Sequence, residues 1–253
     1  MKNLTQEERR LLLEKDRLLD RHIKDTLNTL KKKYKTLSSR IIKAVTDLLR
    51  DLYGEEKPLS NYLNYKRYYL MLADIERECR ALAKIEEQLM EEELVELYFI
   101  FYALGPIEGS ASRDKAEMAV NTVWVSDGKH WQERVWEHEG KLYNRIDTIL
   151  TNGVVSGIPT EVTENELKKV FDQAYNEDKA LVDTEYSHIM NKANEDKYAE
   201  NNIQNFLYVC VHDERTCTAC LERDGKIFRV GDPVNTPTIH PNCRCTSLPI
   251  KTN

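Results

Sequence analysis

A single apolar stripe runs without a break along most of the first fifty residues, and it constrains the fold more than any other feature of this chain. Its members recur at spacings of three and four, which is the period of one face of an α-helix. They extend over about nine helical turns. The stripe consists of Leu19, Ile23, Leu27, Leu30, Tyr34, Leu37, Ile41, Val45, Leu48 and Leu52. We therefore expect one long amphipathic helix, which Gly54 and Pro58 bring to an end.

A second long helix is predicted directly after the first. Ser60 is a suitable N-cap, and Gly105 with Pro106 predicts an end near Leu104. One face of this helix would carry Tyr62, Tyr65, Tyr69, Leu72, Ile75, Cys79, Leu82, Ile85 and Leu89. Two long helices joined by a short turn form a helical hairpin. We assign residues 1–105 to such a hairpin, whose apolar faces need further packing partners.

Residues 106–204 are predicted to form a body of shorter helices. Helical patterns cover residues 111–124 and 131–150, and a loop over residues 151–159 separates them from the next helix. Three tryptophans of this region are expected to be buried aromatic residues. They are Trp124, Trp131 and Trp136.

The last helix of this body has a predicted start and a predicted interruption. Thr163 and Glu166 have the spacing of a capping box, so we expect the helix to begin at Thr163. Its apolar pattern continues to about Ala199, with a break near Asp178.

The hydrophobic period changes near residue 205. Residues 206–211 are rich in β-branched and aromatic side chains and predict a strand. Asp224 and Gly225 indicate a turn, after which residues 226–230 predict a second strand. We therefore assign residues 205–253 to a small β-rich module. The predicted fold class is mainly α, with this module at the C-terminal end, and α+β overall.

This module contains a cluster of cysteine and histidine residues with metal-ligand spacing. Five of the six cysteines lie between positions 210 and 245. Cys217 and Cys220 form a Cys-x2-Cys pair, and His240 with Cys243 forms a His-x2-Cys pair about twenty residues later. Thiolates and imidazole suit a tetrahedral Zn²⁺ ion, which would stabilise a segment that has few large apolar residues. The sequence predicts a structural zinc site; an unmetallated thiol cluster, a disulfide and a catalytic metal remain as alternatives.

Two cysteines are candidates for the fourth ligand of this site. Cys243 has the more usual spacing from His240, while Cys245 would face the same side if the segment were a strand. Cys210 is expected in the core and not among the ligands. Arg215 is expected to form a structural ion pair with Asp213 or Asp224.

Composition and motifs exclude several classes of protein. No apolar run approaches the 18–20 residues, roughly, that span a bilayer, and the first ten residues lack the apolar core of a signal peptide. We therefore expect no membrane partner, and synthesis in a reducing cytoplasm, where clustered cysteines favour a metal over disulfides. No phosphate-binding loop or hydrolase motif is present in the sequence. A metal-dependent hydrolase would need Asp213 or Glu214 as its base, and we predict that the chain is not an enzyme.

Charge is distributed unevenly along the chain despite a net charge of −6. Residues 1–50 contain 14 lysines and arginines against 7 acidic residues, whereas residues 51–100 contain 6 against 12. The favoured interpretation is that the two predicted helices complement each other. A basic segment 1–50 could instead contact DNA.

Three short segments of the C-terminal module have a specific order and spacing. They are Asp213-Glu-Arg-Thr-Cys-Thr-Ala-Cys220, Asp224-Gly-Lys-Ile-Phe228 and His240-Pro-Asn-Cys-Arg-Cys-Thr246. Together they resemble the C-terminal signature of the phage head morphogenesis family, which are minor capsid proteins similar to protein F of phage Mu. The helices before them resemble that family's more variable helical region. Members often carry Arg-Thr-Glu in the last helix, where this chain has Asp183-Thr-Glu185.

The resemblance implies a structural and interaction protein of a tailed phage. It implies a place in the virion, in the head interior or at the portal vertex, and in the host cytoplasm during procapsid assembly. The implied partners are the portal protein and, further, a scaffold or the major capsid protein. Some longer relatives carry toxin or ADP-ribosyltransferase domains after this module, and we expect none here because the sequence ends at Asn253. The alternative is a DNA-binding protein that is carried in the head and ejected with the genome.

Overall fold

Helices dominate the computed structural model, which describes residues 4–52, 59, 62–213 and 216–250. A three-stranded antiparallel sheet lies at the C-terminal end. In chain order the elements are α1 (Gln6–Leu52), α2 (Tyr62–Ala103), α3 (Arg113–Val120), α4 (Trp131–Ser156), α5 (Thr160–Glu200), β1 (Asn205–Val209), α6 (Thr218–Leu221), β2 (Ile227–Arg229) and β3 (Thr246–Ile250). This arrangement confirms a mainly helical fold with a small β-rich end.

The first helix has the predicted face and a start that the apolar pattern does not reveal. Every member of the stripe from Leu19 to Leu52 is buried. At the start of α1, the backbone N–H of Glu8 donates to the Thr5 hydroxyl at 3.2 Å, and the backbone N–H of Thr5 donates to the Glu8 carboxylate at 2.7 Å. This reciprocal pair is a capping box. The predicted stop at Gly54 and Pro58 and the Ser60 cap lie outside the described residues.

The second helix ends where the sequence predicts, but its predicted face is partly wrong. Tyr65 and Tyr69 are exposed and pack on each other with ring centroids 4.4 Å apart, while Tyr68 takes the buried position. Further along α2, the next buried position after Leu82 and Ala83 is Glu86, whereas Ile85 is half-buried. Because a carboxyl occupies a buried position, the pattern of hydrophobic residues alone does not identify the buried face of this helix.

The middle helices differ from prediction at their ends. The helix predicted over residues 111–124 is limited to α3, which Ser112 caps by accepting from Lys115 N. The predicted loop over residues 151–159 is mostly helical, because α4 continues to Ser156. Trp131 is buried as expected, whereas the other two tryptophans of this region are half-buried.

The last long helix begins earlier than predicted and is not interrupted. The Pro159 carbonyl accepts from Val162 N at 3.0 Å and from Thr163 N at 3.1 Å, so α5 starts at Thr160. The predicted capping box at Thr163 is therefore wrong. The predicted break near Asp178 is also wrong, because this carboxylate is buried within the helix and bonded to other helices.

Two compact units divide the chain, and one of them contains residues 27–88 and 132–179. Its hydrophobic core includes Val45, Ile75, Ile146 and Phe171 from four helices. A buried polar group lies in the same unit, where Asp178 accepts from the Tyr34 hydroxyl and contacts His138 Nδ1 at 2.8 Å.

The other unit contains residues 1–26, 89–131 and 180–253. Its sheet has the strand order β2-β1-β3, and the register places Phe206 opposite Phe228 and Val209 opposite Thr246. One of its core clusters joins Ile107, Tyr198 and Phe206 to four cysteines near the sheet. The first two strands confirm the prediction, while the third was not predicted. The assignment of 1–105, 106–204 and 205–253 as domains stays a prediction.

No helix in the described ranges has the length and apolar character that crossing a bilayer requires.

Candidate metal centre

Two turns of the C-terminal module carry the predicted ligands Cys217, Cys220, His240 and Cys243. Cys217 is the N-cap of α6, and its carbonyl accepts from the backbone N–H of Cys220 at 3.1 Å. The second turn closes where Cys243 N–H donates to the His240 carbonyl at 3.2 Å. Between these residues Asn242 has φ 59°, a left-handed conformation that asparagine tolerates. Both knuckles are therefore formed by local backbone bonds.

The ligand atoms of the two turns are in contact. His240 Nε2 lies 3.3 Å from Cys217 Sγ and 3.1 Å from Cys220 Sγ. Cys220 Sγ lies 3.7 Å from Cys243 Sγ. His240 Nδ1 lies 2.8 Å from the Pro241 carbonyl, to which it donates in the tautomer that leaves Nε2 free to bind a metal.

These atoms form two overlapping groups that could hold a metal ion. Cys217, Cys220 and His240 make the first group, and Cys220, Cys243 and Cys245 make the second, with all ligand atoms of each group within 4.8 Å of one another. Cys220 is common to both. The structure therefore brings together all five predicted ligand residues, including both candidates for the fourth position.

The cysteines of the cluster differ in how readily they ionise. Burial, and then the nearby Cys243, raises the pKa of Cys220 to about 12. The hydrogen bond from Cys245, although opposed by burial, lowers the pKa of Cys243 to about 5. The same bond raises the pKa of Cys245, because its thiol is the donor. Since the thiolate is the form that binds metals, an ion bound at Cys220 or Cys245 would have to displace a proton from a thiol whose pKa is raised.

Side chains of α5 hold the loop that carries His240 and Cys243. The buried amide Nδ2 of Asn191 donates to the Thr238 hydroxyl at 3.0 Å and to the Cys245 carbonyl at 2.8 Å. The Thr184 hydroxyl accepts from the backbone N–H of Asn242 at 2.9 Å. The ligand loop therefore depends on polar side chains that lie some fifty residues earlier in the sequence.

Side chains of α1 bind the same region. Arg244, between the two candidate fourth ligands, donates from Nη2 to Asp16 at 3.1 Å and also to Asp20. The buried Lys15 donates from Nζ to the carbonyl of Ser247 at 3.1 Å, and burial, with Lys197 next, lowers the pKa of Lys15 to about 7. Sequence reasoning missed these anchors. Arg244 lies within the recognised signature, whereas nothing in a hydrophobic pattern indicates Lys15 or Asn191.

The remaining predicted residues near the site have structural positions. Cys210 is buried in the core, as predicted, and its backbone N–H donates to Asp224 Oδ1 at 2.8 Å. Asp224 also pairs with His212 at 2.8 Å. Asp213 accepts from the Thr216 hydroxyl at 3.2 Å. The predicted ion pair of Arg215, like Glu214, lies outside the described residues.

The Asp-Thr-Glu stretch of α5 is buried and bonded. The Thr184 hydroxyl donates to the Ala180 carbonyl at 2.6 Å in addition to accepting from the ligand loop. Glu185 accepts from the indole N–H of Trp124 at 2.9 Å. These contacts give both residues a part in packing.

Comparison with known proteins gives one match. No curated protein and no solved structure matches the chain. A family model does match part of the chain. The part it matches begins within α4 and extends into β3, so it contains all five predicted ligand residues. Over residues 144–248 the chain matches the model of the family described as Phage Mu protein F like protein, and this match confirms the resemblance to the phage head morphogenesis family.

Proposed function

We propose that this chain is a minor head protein of a tailed phage, with a structural role in the virion at the portal vertex or in the head interior. The observation that carries the proposal is the family match over residues 144–248, which covers the whole ligand cluster and all of α5. The buried, bonded state of Thr184 and Glu185 favours packing over catalysis at that stretch. We propose a protein without enzymatic activity, which acts during procapsid assembly and DNA packaging or delivery.

The proposed partner is the portal protein, with scaffold or major capsid protein as further candidates. A protein partner is supported by exposed apolar residues on α2. Leu63, Tyr65, Tyr69 and Leu70 are each about half exposed or more. Apolar side chains that stay exposed in this way favour contact with another protein.

Coexpression with the cognate portal protein tests this role. We expect the two proteins to co-sediment, and we expect a substitution of Tyr69 and Leu70 by serine to weaken the complex. Val155→Ser, at another exposed apolar position, is the matched control and should leave it intact. Absence of co-sedimentation, together with full infectivity of virions that lack this chain, would contradict the proposal.

We further propose that the cluster binds a structural zinc ion through Cys217, Cys220, His240 and Cys243, with Cys245 as the alternative fourth ligand. Tetrahedral coordination with about 2.3 Å Zn–S and 2.0–2.1 Å Zn–N bonds requires ligand atoms about 3.5–3.8 Å apart. His240 lies 3.1 Å from Cys220 and 3.3 Å from Cys217, and Cys220 lies 3.7 Å from Cys243, which is close to this requirement. Cys243 is not within 4.8 Å of both Cys217 and His240, so the ion would have to draw it closer to them. Four protein ligands would close the shell, so the ion would cross-link the two turns and leave no position for a substrate.

Metal analysis of purified chain tests the zinc proposal. We expect about one zinc per chain, since one tetrahedral site takes one ion, and we expect Cys217→Ser and His240→Ala to abolish binding. Cys79→Ser is the matched control because Cys79 is buried in the other unit, far in sequence from the cluster. Metal content far below one per chain after growth with added zinc would refute the assignment.

A second candidate function is DNA binding by the basic segment 1–50, followed by ejection with the genome. The observation that favours it is a group of exposed lysines on α1, none of which forms an ion pair with a described residue. They are Lys31, Lys32, Lys33 and Lys35. Contacts of lysines with phosphates make affinity fall steeply with salt. A gel-shift titration at two salt concentrations, repeated with all four lysines replaced by glutamine, tests this function; binding that is absent or insensitive to both changes would exclude it.

A further inference from the structure

Two cysteines lie opposite each other at the end of the β1–β3 pair. The antiparallel register places Val209 opposite Thr246, and one step further places Cys210 opposite Cys245. Cys210 N–H is directed to Asp224 and the Cys245 carbonyl to Asn191, so these two backbone groups do not bond across the pair. Opposed residues without such bonds have Cα atoms about 4.5 Å apart and bring their side chains closest.

The two sulfur atoms are already in contact. Cys245 Sγ lies 3.3 Å from Cys210 Sγ, and both side chains are buried. Disulfides form between cysteines whose Cα atoms are about 4.4–6.8 Å apart, and a directly opposed antiparallel pair falls at the lower end of that range. Rotation of the two side chains is therefore enough to bring the sulfurs together, with little movement of the strands.

The pair is distinct from the group of ligands around His240. Cys210 belongs to neither group of potential ligands, and Cys245 belongs only to the group that also contains Cys243. If Cys243 binds an ion together with Cys217, Cys220 and His240, Cys245 is left without a metal bond. Its thiol faces Cys210. We propose that Cys210 and Cys245 are a cross-strand thiol pair that oxidises to a disulfide, while Cys243 completes the metal ligands. The second half of this statement rests on the zinc site of the proposed function.

The oxidant in this reaction is a small-molecule disulfide. One thiolate of the pair attacks it, forms a mixed disulfide and releases one thiolate of the oxidant. The second cysteine then attacks the mixed disulfide and releases the other, so two electrons pass from the cysteine pair to the oxidant and two protons are lost from the pair. In a reducing cytoplasm the pair remains a dithiol. A virion component would meet an oxidising medium on release, and the bond would then join β1 to β3.

Tryptic mapping can identify the bond, because cleavage separates the relevant cysteines. Cys210 lies in peptide 198–215, Cys217 and Cys220 in 216–223, Cys243 in 230–244, and Cys245 in 245–251. The full-length, zinc-supplemented chain would be equilibrated in an oxidised glutathione buffer, its free thiols alkylated in acid, and the digest analysed by mass spectrometry. We expect one new species, in which peptides 198–215 and 245–251 are joined with the loss of two hydrogens, and an unchanged zinc content.

Three single substitutions separate the pair from the metal site. Cys210→Ser and Cys245→Ser should each abolish the cross-link and retain zinc, whereas Cys243→Ser should lose zinc and retain the cross-link. A bond from Cys210 or Cys245 to another peptide, two free thiols after equilibration with excess oxidant, or zinc loss in Cys245→Ser alone would overturn the proposal. A cross-linked chain that never contains zinc would refute the zinc site and leave the thiol pair supported.

Discussion

Arg244 forms an ion pair with Asp16 and Asp20 of α1. Removing the two acidic groups is expected to destabilise the fold more than removing the arginine. The Arg244 side chain is 5% exposed, whereas those of Asp16 and Asp20 are 42% and 59% exposed. Although burial opposes the charge, Asp20 and Asp16 raise the pKa of Arg244 above its usual value. The double substitution D16N/D20N therefore leaves a buried cation without a counter-ion. R244M instead leaves two carboxylates that water can solvate.

The expected magnitudes follow from this difference in burial. Removing one partner of a buried ion pair costs about 3–5 kcal/mol, whereas exposed pairs contribute about 0–1 kcal/mol. A buried guanidinium with half-exposed partners lies between these limits, so D16N/D20N should lower the free energy of unfolding by about 1–3 kcal/mol. Arg244 Nε has no hydrogen-bond partner among the described residues. R244M removes this unsatisfied donor and should cost less than about 1.5 kcal/mol.

Urea denaturation of the variants, each purified with added zinc, measures both values, and hydrogen exchange in residues 6–26 reports whether α1 loosens locally. D47N is the matched control, because Asp47 is on the same helix and its partners Lys43 and Arg50 are exposed. We expect no resolvable change in that variant. The reasoning fails if R244M is as destabilising as D16N/D20N, or if D47N is as destabilising as either.

Three further substitutions test the described packing. Burial, and then Asp178, raises the pKa of Glu86 well above 4.5. The folded state therefore loses stability as the pH rises above 4.5. In denaturant, Glu86→Gln should be more stable than the parent at about pH 8 but not at about pH 4. Leu150→Ala should cost about 2–5 kcal/mol, while Val155→Ala on the same helix, at an exposed position, should leave the melting temperature unchanged. Asn191→Ala removes the amide that holds the carbonyl before β3 and should cost about 1–3 kcal/mol in urea denaturation; an unchanged midpoint would contradict that anchor.

Hydrophobic periodicity predicted α1 well because every residue on its buried face from Leu19 to Leu52 is apolar or tyrosine. The same reasoning failed on α2, where the buried face contains Glu86 and the exposed surface contains Tyr65 and Tyr69. On α5 it gave the wrong start, because the Pro159 carbonyl supplies the first helical bonds and the Thr163 hydroxyl donates back to it at 3.4 Å. The predictions from residue type were wrong where a polar group is buried or an aromatic group is exposed.

The ligand cluster was predictable because its spacing is local. Each knuckle is closed by a backbone bond over three residues, so Cys217 with Cys220, and His240 with Cys243, converge by chain geometry alone. The third strand was not predicted, because Thr246–Ile250 contains a proline and lacks the continuous run of aromatic and apolar residues found in β1. The contact of Cys245 with Cys210 depends on that strand, so the sequence left Cys245 open as a ligand.

The ligand loop is held by helices that lie outside the C-terminal module. Thr184 and Asn191 of α5 fall within the family match over residues 144–248, whereas Lys15, Asp16 and Asp20 of α1 do not. The α5 anchors are therefore part of the matched region, and the α1 anchors are contributed by the part of the chain before it. Because Arg244 lies directly between the candidate fourth ligands, an ion bound there would restrict the backbone that carries the guanidinium to which α1 binds. By the reciprocity of coupled binding, the docking of α1 residues 15–20 should in turn strengthen metal affinity.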